Sequence, residues 1–424
     1  MNLLVFSYFY PPFVGGAELI ARAGARGLAR RGHTVTVLTA APRDRILPAA
    51  VEEDGVLVIR DPQLHPALPE DEDFSVLYER VAHLLDCSAF DGVHSHLLTY
   101  PWVGRRSAAI LAQIDERRLP LVDQAHGGDP ELQALRCVEL MQRVERVVSD
   151  SDYATRRMER AFDLGAPKFE RAHRRPPRLP MFHTLYPAIV DYEVFRPNLE
   201  RRRRVRAALG LSDEFVVFFP SRFFDIDGSF STRKKPLIAA KAFARFAERS
   251  GAEDIRFFAI APEGFGASDV EQQRRWEYDS MLKENHVFDR TIMLHRSARH
   301  DEMAGYFDAA DVALVPSVEG FGLVYLEAIS CGTPVVTLRE GASGEVLGEE
   351  TGVLVDSVGE ASVDGLAEAL MELYRNPKMR ETLGLSGVHR ARTRFPFETW
   401  VVRLEAFLME SFAALTTSDL EGET

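Results

Sequence analysis

The chain has 424 residues, 46% apolar and 27% charged, which suits two ordinary globular domains better than a single core. Its formal net charge of −13 argues against bulk nucleic-acid binding. Three cysteines (Cys87, Cys137, Cys331) without a CxxC pair suggest neither a disulfide framework nor a zinc site.

Taken in chain order, MNLLVFSYFYPPF lacks the basic start and long apolar stretch of a signal peptide. No later run approaches transmembrane length, so the cytoplasm is the expected location. Strand-like runs then alternate with helical ones, which predicts an α/β protein with parallel sheets. The first half reads LLVFSY, TVTVL, VLVI, GVHS, LVDQ and VVSD as strands, with helical patterns at 18–31, 74–86 and 131–144. Gly15-Gly16 lies between the first strand and the first helix, where backbone amides can meet a phosphate or sugar. A plain tight turn is the alternative. The string is not GxGxxG and the second strand ends without an acidic residue, which speaks against a dinucleotide site.

His94 and His96 alternate along one strand without a carboxylate or thiolate partner nearby in sequence, and read as structural. His126 precedes two glycines at the carboxyl end of a strand, where open α/β sheets bind ligands, and is expected on an exposed, mobile turn. The Pro- and Arg-rich passage 166–197 reads as irregular, with a linker near 187–197. Together with ERRRRVRAALG it could give weak peripheral membrane contact or dock an acidic partner. The missing amphipathic period favours a solvated loop and helix start instead.

The second half reads FVVFFP, IRFFAI, TIMLH, VALVP and TPVVTL as strands, with helices near 236–249 and 302–310. Two sheets of five or six strands, in two doubly wound domains, are expected. Arg222 ends a strand and Lys234-Lys235 opens the next helix, so the cations either converge on an anion or are simply solvated. The strings DID (225–227), DED and DSD imitate a metal-binding DxD, but their repetition points to chance, and no metal is expected. In SVEGFGLVYLEAISCGTPVV, Glu319 and Glu327 stand eight residues apart around Gly-Phe-Gly. Residues 323–330 read as a short helix ended by Cys331-Gly332-Thr333-Pro334. Two carboxylates and amide donors at a helix N-terminus suit a polyhydroxylated ligand carrying phosphate, the alternative being a core helix with a solvated carboxylate. A further glycine-rich turn follows at 341–344, before Glu345. Neither a nucleophile elbow nor a Walker loop occurs, and the end, SDLEGET, reads as a disordered tail.

GGAE, PSVEGFGLVYLEAISCGTPVV and RTRFPFETW, in that order, resemble the retaining glycosyltransferases of family 4, the group 1 glycosyltransferases of GT-B fold. The resemblance covers nearly the whole chain, and the E-x7-E segment is its most specific part. It implies two tandem doubly wound Rossmann-like domains with an interdomain cleft. Residues 1–190 would bind the acceptor, and 191–396 the nucleotide sugar. Residues 397–424 would form a helix (398–415) crossing back to the first domain, then the tail.

By position, the resemblance implies that Glu327 holds the ribose hydroxyls and that Glu319 lies near the donor sugar. Phe321 and Gly322 would lend amides to that sugar, with Leu323 also at the donor. Arg222 and Lys234 would face the donor diphosphate, while Gly16 and His126 would approach the reacting sugar. Eleven residues separate Arg222 from Lys234, more than the family's usual spacing, which leaves Lys235 as an alternative to Lys234. LYPAIVDYEVF replaces the common IPNGVD, leaving the nucleotide and hinge details open.

Arg and Lys at helix starts can neutralise a departing diphosphate without a metal, and front-face retention needs no protein nucleophile. The expected reaction is transfer of a hexose from a nucleotide diphosphate sugar, UDP-linked first and GDP-mannose next, to a hydroxyl acceptor. The acceptor could be a sugar, a sugar phosphate or lipid-linked, and no cofactor or nucleic acid takes part. The rivals are a sugar-nucleotide 2-epimerase of the same fold, against which the E-x7-E segment speaks, and a catalytically silent homologue. The presence of Arg222, Lys234 and Glu319 speaks against the latter.

Overall fold

A computed structural model describes residues 1–424 except 14, 44–45, 66–67, 69–72, 97–103, 127–129, 145, 224–229, 261–268, 297, 357 and 422–424. The side chains of 104–106, 133, 269–271 and 415–421 also lie outside the description. The chain divides into two compact units, Met1–Ile189 with Phe397–Thr424, and Val190–Pro396.

The first unit opens with β1 (Asn2–Ser7), α1 (Gly16–Arg30) and β2 (Thr34–Ala40). A hairpin follows, β3 (Ala50–Glu53) and β4 (Val56–Asp61), turning at Asp54-Gly55 with φ of 55° and 80°, the backbone such two-residue turns require. Next come α2 (Ser75–Cys87), β5 (Gly92–His96), α3 (Gly104–Glu116), β6 (Leu121–Ala125) and α4 (Ala134–Met141). The run ends with β7 (Arg146–Ser149), α5 (Asp152–His173) and β8 (Met181–Thr184). The sheet order is β3-β4-β2-β1-β5-β6-β7-β8, parallel except for β3. Leu4, Phe6, Val93, Val147 and Phe162 belong to its core.

The second unit contains α6 (Leu199–Ala208), β9 (Phe215–Phe219), α7 (Pro236–Ser250), β10 (Ile255–Ile260) and α8 (Asp269–Glu284). Then follow β11 (Thr291–Leu294), α9 (His300–Ala309), β12 (Val312–Leu314), α10 (Leu323–Ser330) and β13 (Val335–Leu338). It closes with α11 (Ser343–Leu347), β14 (Gly352–Val355), α12 (Glu360–Arg375) and α13 (Pro377–Arg394). The strands run parallel in the order β11-β10-β9-β12-β13-β14. Val217, Phe219, Phe243, Phe257, Leu314 and Leu366 fill its core. In both units the strand order reverses beside the first strand, so loops at the carboxyl ends splay apart and leave room for a ligand.

The last helix, α14 (Phe397–Glu421), returns to the first unit. Trp400, Val401, Leu404, Leu408 and Phe412 are buried, and two glycines of α1 make the approach possible. A methyl group on Gly27 would come within 2.6 Å of Val401, and one on Gly24 within 3.2 Å of Leu404. Glu405 closes the helix end, accepting from Arg31 and pairing with His33 at 2.6 Å.

Three expectations are corrected. The first sheet has eight strands among the described residues rather than five or six, because β3 and β8 were not read, while the second, with β14 added, has six as expected. The passage from 166 is not irregular at its start: α5 continues to His173 with Pro167 inside it, and β8 follows. The arginines of ERRRRVRAALG are not a uniformly solvated run. Arg201 pairs with Asp308 at 2.5 Å, Arg202 with Asp311 at 2.9 Å, and Arg206 donates to three backbone carbonyls. Among the described residues, no helix is long and apolar enough to cross a membrane.

Candidate functional site

In the second unit, the loop from β12 into α10 is held open by two glycines. Gly322, with φ of 91°, is the N-cap of α10, and no side chain caps that helix. A methyl group there would lie 2.4 Å from Tyr325. Tyr325 is fully buried and donates to the Ser317 carbonyl at 3.0 Å, fixing the start of the loop. Gly341, with φ of 62°, lies under the same loop, where a methyl group would come within 2.5 Å of the Glu319 carbonyl oxygen. Ala342 N–H donates to that oxygen at 3.0 Å. Small residues and positive φ thus set the place of the Glu319 backbone.

Lys234 Nζ donates to Glu319 Oε1 at 2.6 Å, with both side chains mostly buried (25% and 12% exposed). Lys235, the left-handed N-cap of α7, instead donates to Glu340 Oε2 at 2.6 Å. Neither lysine is simply solvated. The long loop between Arg222 and Lys234 is tied down at both described ends. Ser231 N–H donates to the Phe223 carbonyl, and Ser231 Oγ accepts from Lys234 N–H. Arg222 is exposed just after β9; the neighbouring Ser221 hydroxyl lies 3.5 Å from that of Ser317. The Phe321 ring packs edge-on to Phe395, so it is buried in the unit. Leu323 is the first residue of α10.

One turn into α10, burial raises the Glu327 carboxyl to about 8. Its Oε1 lies 3.7 Å from Nδ1 of His300, the first residue of α9. Burial holds that imidazole below its ordinary value. The second unit therefore bonds Lys234, just before α7, to Glu319 on a loop–helix segment that also carries Phe321, Gly322, Leu323 and Glu327. The arrangement offers a cation, two carboxyl groups and a helix N-terminus to an anionic, hydroxylated ligand.

In the first unit, Gly15 is the N-cap of α1 and Gly16 its first residue. A methyl group on Gly15 would meet the Glu18 carboxylate at 2.3 Å, so Glu18 folds back over the helix start. His126 is not on an exposed turn: its side chain is 5% exposed. Its Nδ1 lies 2.6 Å from Asp150 Oδ2, and its Nε2 lies 2.7 Å from His96 Nδ1. His94 and His96 are buried, as structural histidines should be, but His96 also stacks on His126 with centroids 5.0 Å apart. Sequence reasoning missed Asp150, Glu340 and His300. Asp150 lies in the DSD string read as chance, and its only other signal is its place just after a strand. The DID string lies outside the described residues. Among the described residues, no group of three or more His, Cys, Asp or Glu is arranged to hold a metal ion.

The family model described as "Glycosyl transferases group 1" matches residues 215–388, and "Glycosyltransferase Family 4" matches 14–174. A D-inositol 3-phosphate glycosyltransferase of Saccharomonospora viridis is 29% identical over 96% of this chain and 92% of its own length. One of Mycobacterium bovis is 30% identical over 81% of this chain and 70% of its own length. The structure is similar to that of a sucrose-phosphate synthase from Thermosynechococcus elongatus, with a TM-score of 0.74. The identity is 21%, and the match covers 97% of this chain and 99% of that one.

Proposed function

This chain belongs to the group 1 glycosyltransferases, and from that premise we propose that its second unit binds a nucleotide diphosphate sugar and that the enzyme moves the sugar, a hexose, to a hydroxyl acceptor with retention. The observation that carries the reading is the single segment holding Glu319, the open start of α10 and Glu327, with Lys234 bonded to the first of these. Glu327 takes the ribose hydroxyls. Arg222, Lys234 and the amides opening α10 take the diphosphate and sugar, and Glu319 sits beside the sugar. A phosphate reaching Lys234 competes with Glu319 for its ammonium group, so donor binding frees Glu319 for the sugar hydroxyls. Charge on the leaving diphosphate grows as the C1–O bond breaks, and fixed cations stabilise that change without a metal. The first unit receives the acceptor, and its Gly16 and His126 approach the reacting sugar of the donor. UDP-sugars are the first donors to test and GDP-mannose the next. The names of the two inositol phosphate relatives put a phosphorylated polyol among the first acceptors.

The test is nucleotide release from UDP-, GDP- and ADP-sugars, with and without acceptors, in excess EDTA. The product's anomeric configuration is read by NMR. Release from one donor class in EDTA, with a product keeping the donor's anomeric configuration, supports the reading. Activity that vanishes in EDTA and returns with magnesium or manganese overturns its metal-free part. Epimerised donor without transfer overturns the whole.

A further inference from the structure

The carboxyl ends of β5, β6 and β7 enclose a polar cluster that the proposed reaction does not explain. His94, His96, Asp123, Gln124, Ser149 and Asp150 are all at most 2% exposed. Burying so many polar groups is unfavourable unless their hydrogen bonds are met. Asp150 accepts at both oxygens, from Gln124 Nε2 at 2.7 Å and from His126 Nδ1 at 2.6 Å. A carboxylate has no proton to give, so the Nδ1 hydrogen belongs to His126.

The 2.7 Å contact between His126 Nε2 and His96 Nδ1 holds one further hydrogen, on one ring or the other. The surrounding charges decide which. His126 faces Asp150 on β7's end, Asp123 on β6 and Glu18 on α1, with His94 and His96 on β5 as its imidazole neighbours. His96 has the imidazoles of His94 and His126 as its titratable neighbours. Burial alone would lower His126, but the charge and hydrogen bond of Asp150, helped by Asp123 and Glu18, outweigh it and raise the imidazole. Burial, reinforced by the other two imidazoles, sends His96 well down.

We infer that Asp150 and His96 are positioning residues that hold the His126 ring as a double hydrogen-bond donor, a buried cation whose two N–H groups both stay inside the first unit. His126 then acts on a ligand through its charge and backbone, not by lending a ring nitrogen. The effect on turnover rests on the proposed glycosyl transfer; the state of the ring does not.

The experiment uses the full chain labelled with ¹⁵N at histidine, with His126 assigned by its loss in His126→Gln. In the native protein at pH 7 both nitrogens of His126 should be protonated. Asp150→Asn keeps an oxygen for Nδ1–H and removes the charge. Gln124, whose Nε2 now donates to Asp150, can accommodate the new amide by turning over so that its oxygen accepts instead. In that variant the pH at which the ring loses its proton should fall by about one to three units. The alkaline limb of the sugar-transfer profile should fall with it, because the charged ring persists at pH values below its own pKa. A native His126 with one bare ring nitrogen at pH 7 overturns the inference, and that spectrum needs no variant to fold. An alkaline limb that stays in place while Asp150→Asn lowers Tm also overturns it, leaving Asp150 a structural role. If the native protein transfers no sugar at any pH, the proposed function fails, and the native spectrum alone then decides the inference.

Discussion

Burial raises the Glu327 carboxyl to about 8, against 4.5 ordinarily, and the sign of its effect on stability follows. The folded chain keeps a proton that the unfolded chain releases above the ordinary value. That contribution is full at pH 4 and is lost as pH rises through about 8. Calorimetric unfolding from pH 5 to 9 should therefore show the native protein losing stability that Glu327→Gln does not. Nucleotide binding should run the other way, strengthening as the carboxylate forms and accepts from two ribose hydroxyls. Glu327→Ala removes charge-assisted bonds worth roughly 1.5–3 kcal/mol, weakening nucleotide binding about ten- to a hundredfold. Unchanged binding by isothermal titration would reject the assignment. Arg222→Ala and Lys234→Ala should each lower kcat on the order of a hundred- to a thousandfold, with smaller effects on donor affinity. Lys235, bonded to Glu340, should matter less; a crippled Lys235→Ala beside an active Lys234→Ala would reverse their roles. At this scale the sequence made Glu319 and Glu327 conspicuous but could not show their partners. Lys234 is 85 residues from Glu319, and Asp150 is 24 from His126. Such pairs meet only through the topology of a whole sheet.

At the scale of elements, α10 was legible to the residue because glycine marks its start and Gly332-Thr333-Pro334 its end. The passage after Ala166 was not. Pro167 inside a helix normally costs about 3 kcal/mol, so the sequence read as broken there. Tertiary packing overrides that signal, since Ala161, Phe162, Gly165 and Phe169 are all buried around the proline. Gly165 is the closest of these: a methyl group on it would lie 2.2 Å from the Ala134 carbonyl oxygen. The β3–β4 hairpin has its signal in Asp54-Gly55, an antiparallel turn in a sheet whose other strands are joined by crossovers. Gly341→Ala forces a left-handed φ and a 2.5 Å clash on the Glu319 backbone. It should cost about 1–3 kcal/mol of stability and reduce turnover more than nucleotide affinity, measured by denaturant melts and steady-state kinetics. Arg206→Ala leaves the mostly buried Asp311 short of one cation and three carbonyls short of a donor. It should cost about 3 kcal/mol or more, whereas Arg203→Ala and Arg204→Ala, at exposed positions, should leave the melting curve in place. Equal losses in all three would mean that the burial pattern of α6 is not what stabilises the unit.

For the molecule as a whole, alternating strands and helices were enough to read two doubly wound sheets, because parallel strands need crossover helices and hydrophobic runs announce both. Which unit each segment joins was beyond local pattern, and α14 shows why that matters. The first unit is built from both ends of the chain: β1 to β8 come from Met1–Ile189, while the helix that covers Gly24, Gly27 and Gly92 begins at Phe397. On a ribosome adding about 5–20 residues per second, the 207 residues from Val190 to Pro396 take roughly 10–40 s to make. For that time the first sheet exists without Val401, Leu404 and Phe412, and the apolar groove they fill stands open to solvent. Nascent chains stalled at Pro396 should therefore bind a hydrophobic dye or a holdase chaperone that chains released after Thr424 do not. Equal binding by both would show that the groove closes over by itself. The second unit, continuous in sequence, meets no such delay, so the order of synthesis makes the N-terminal half the last to be completed.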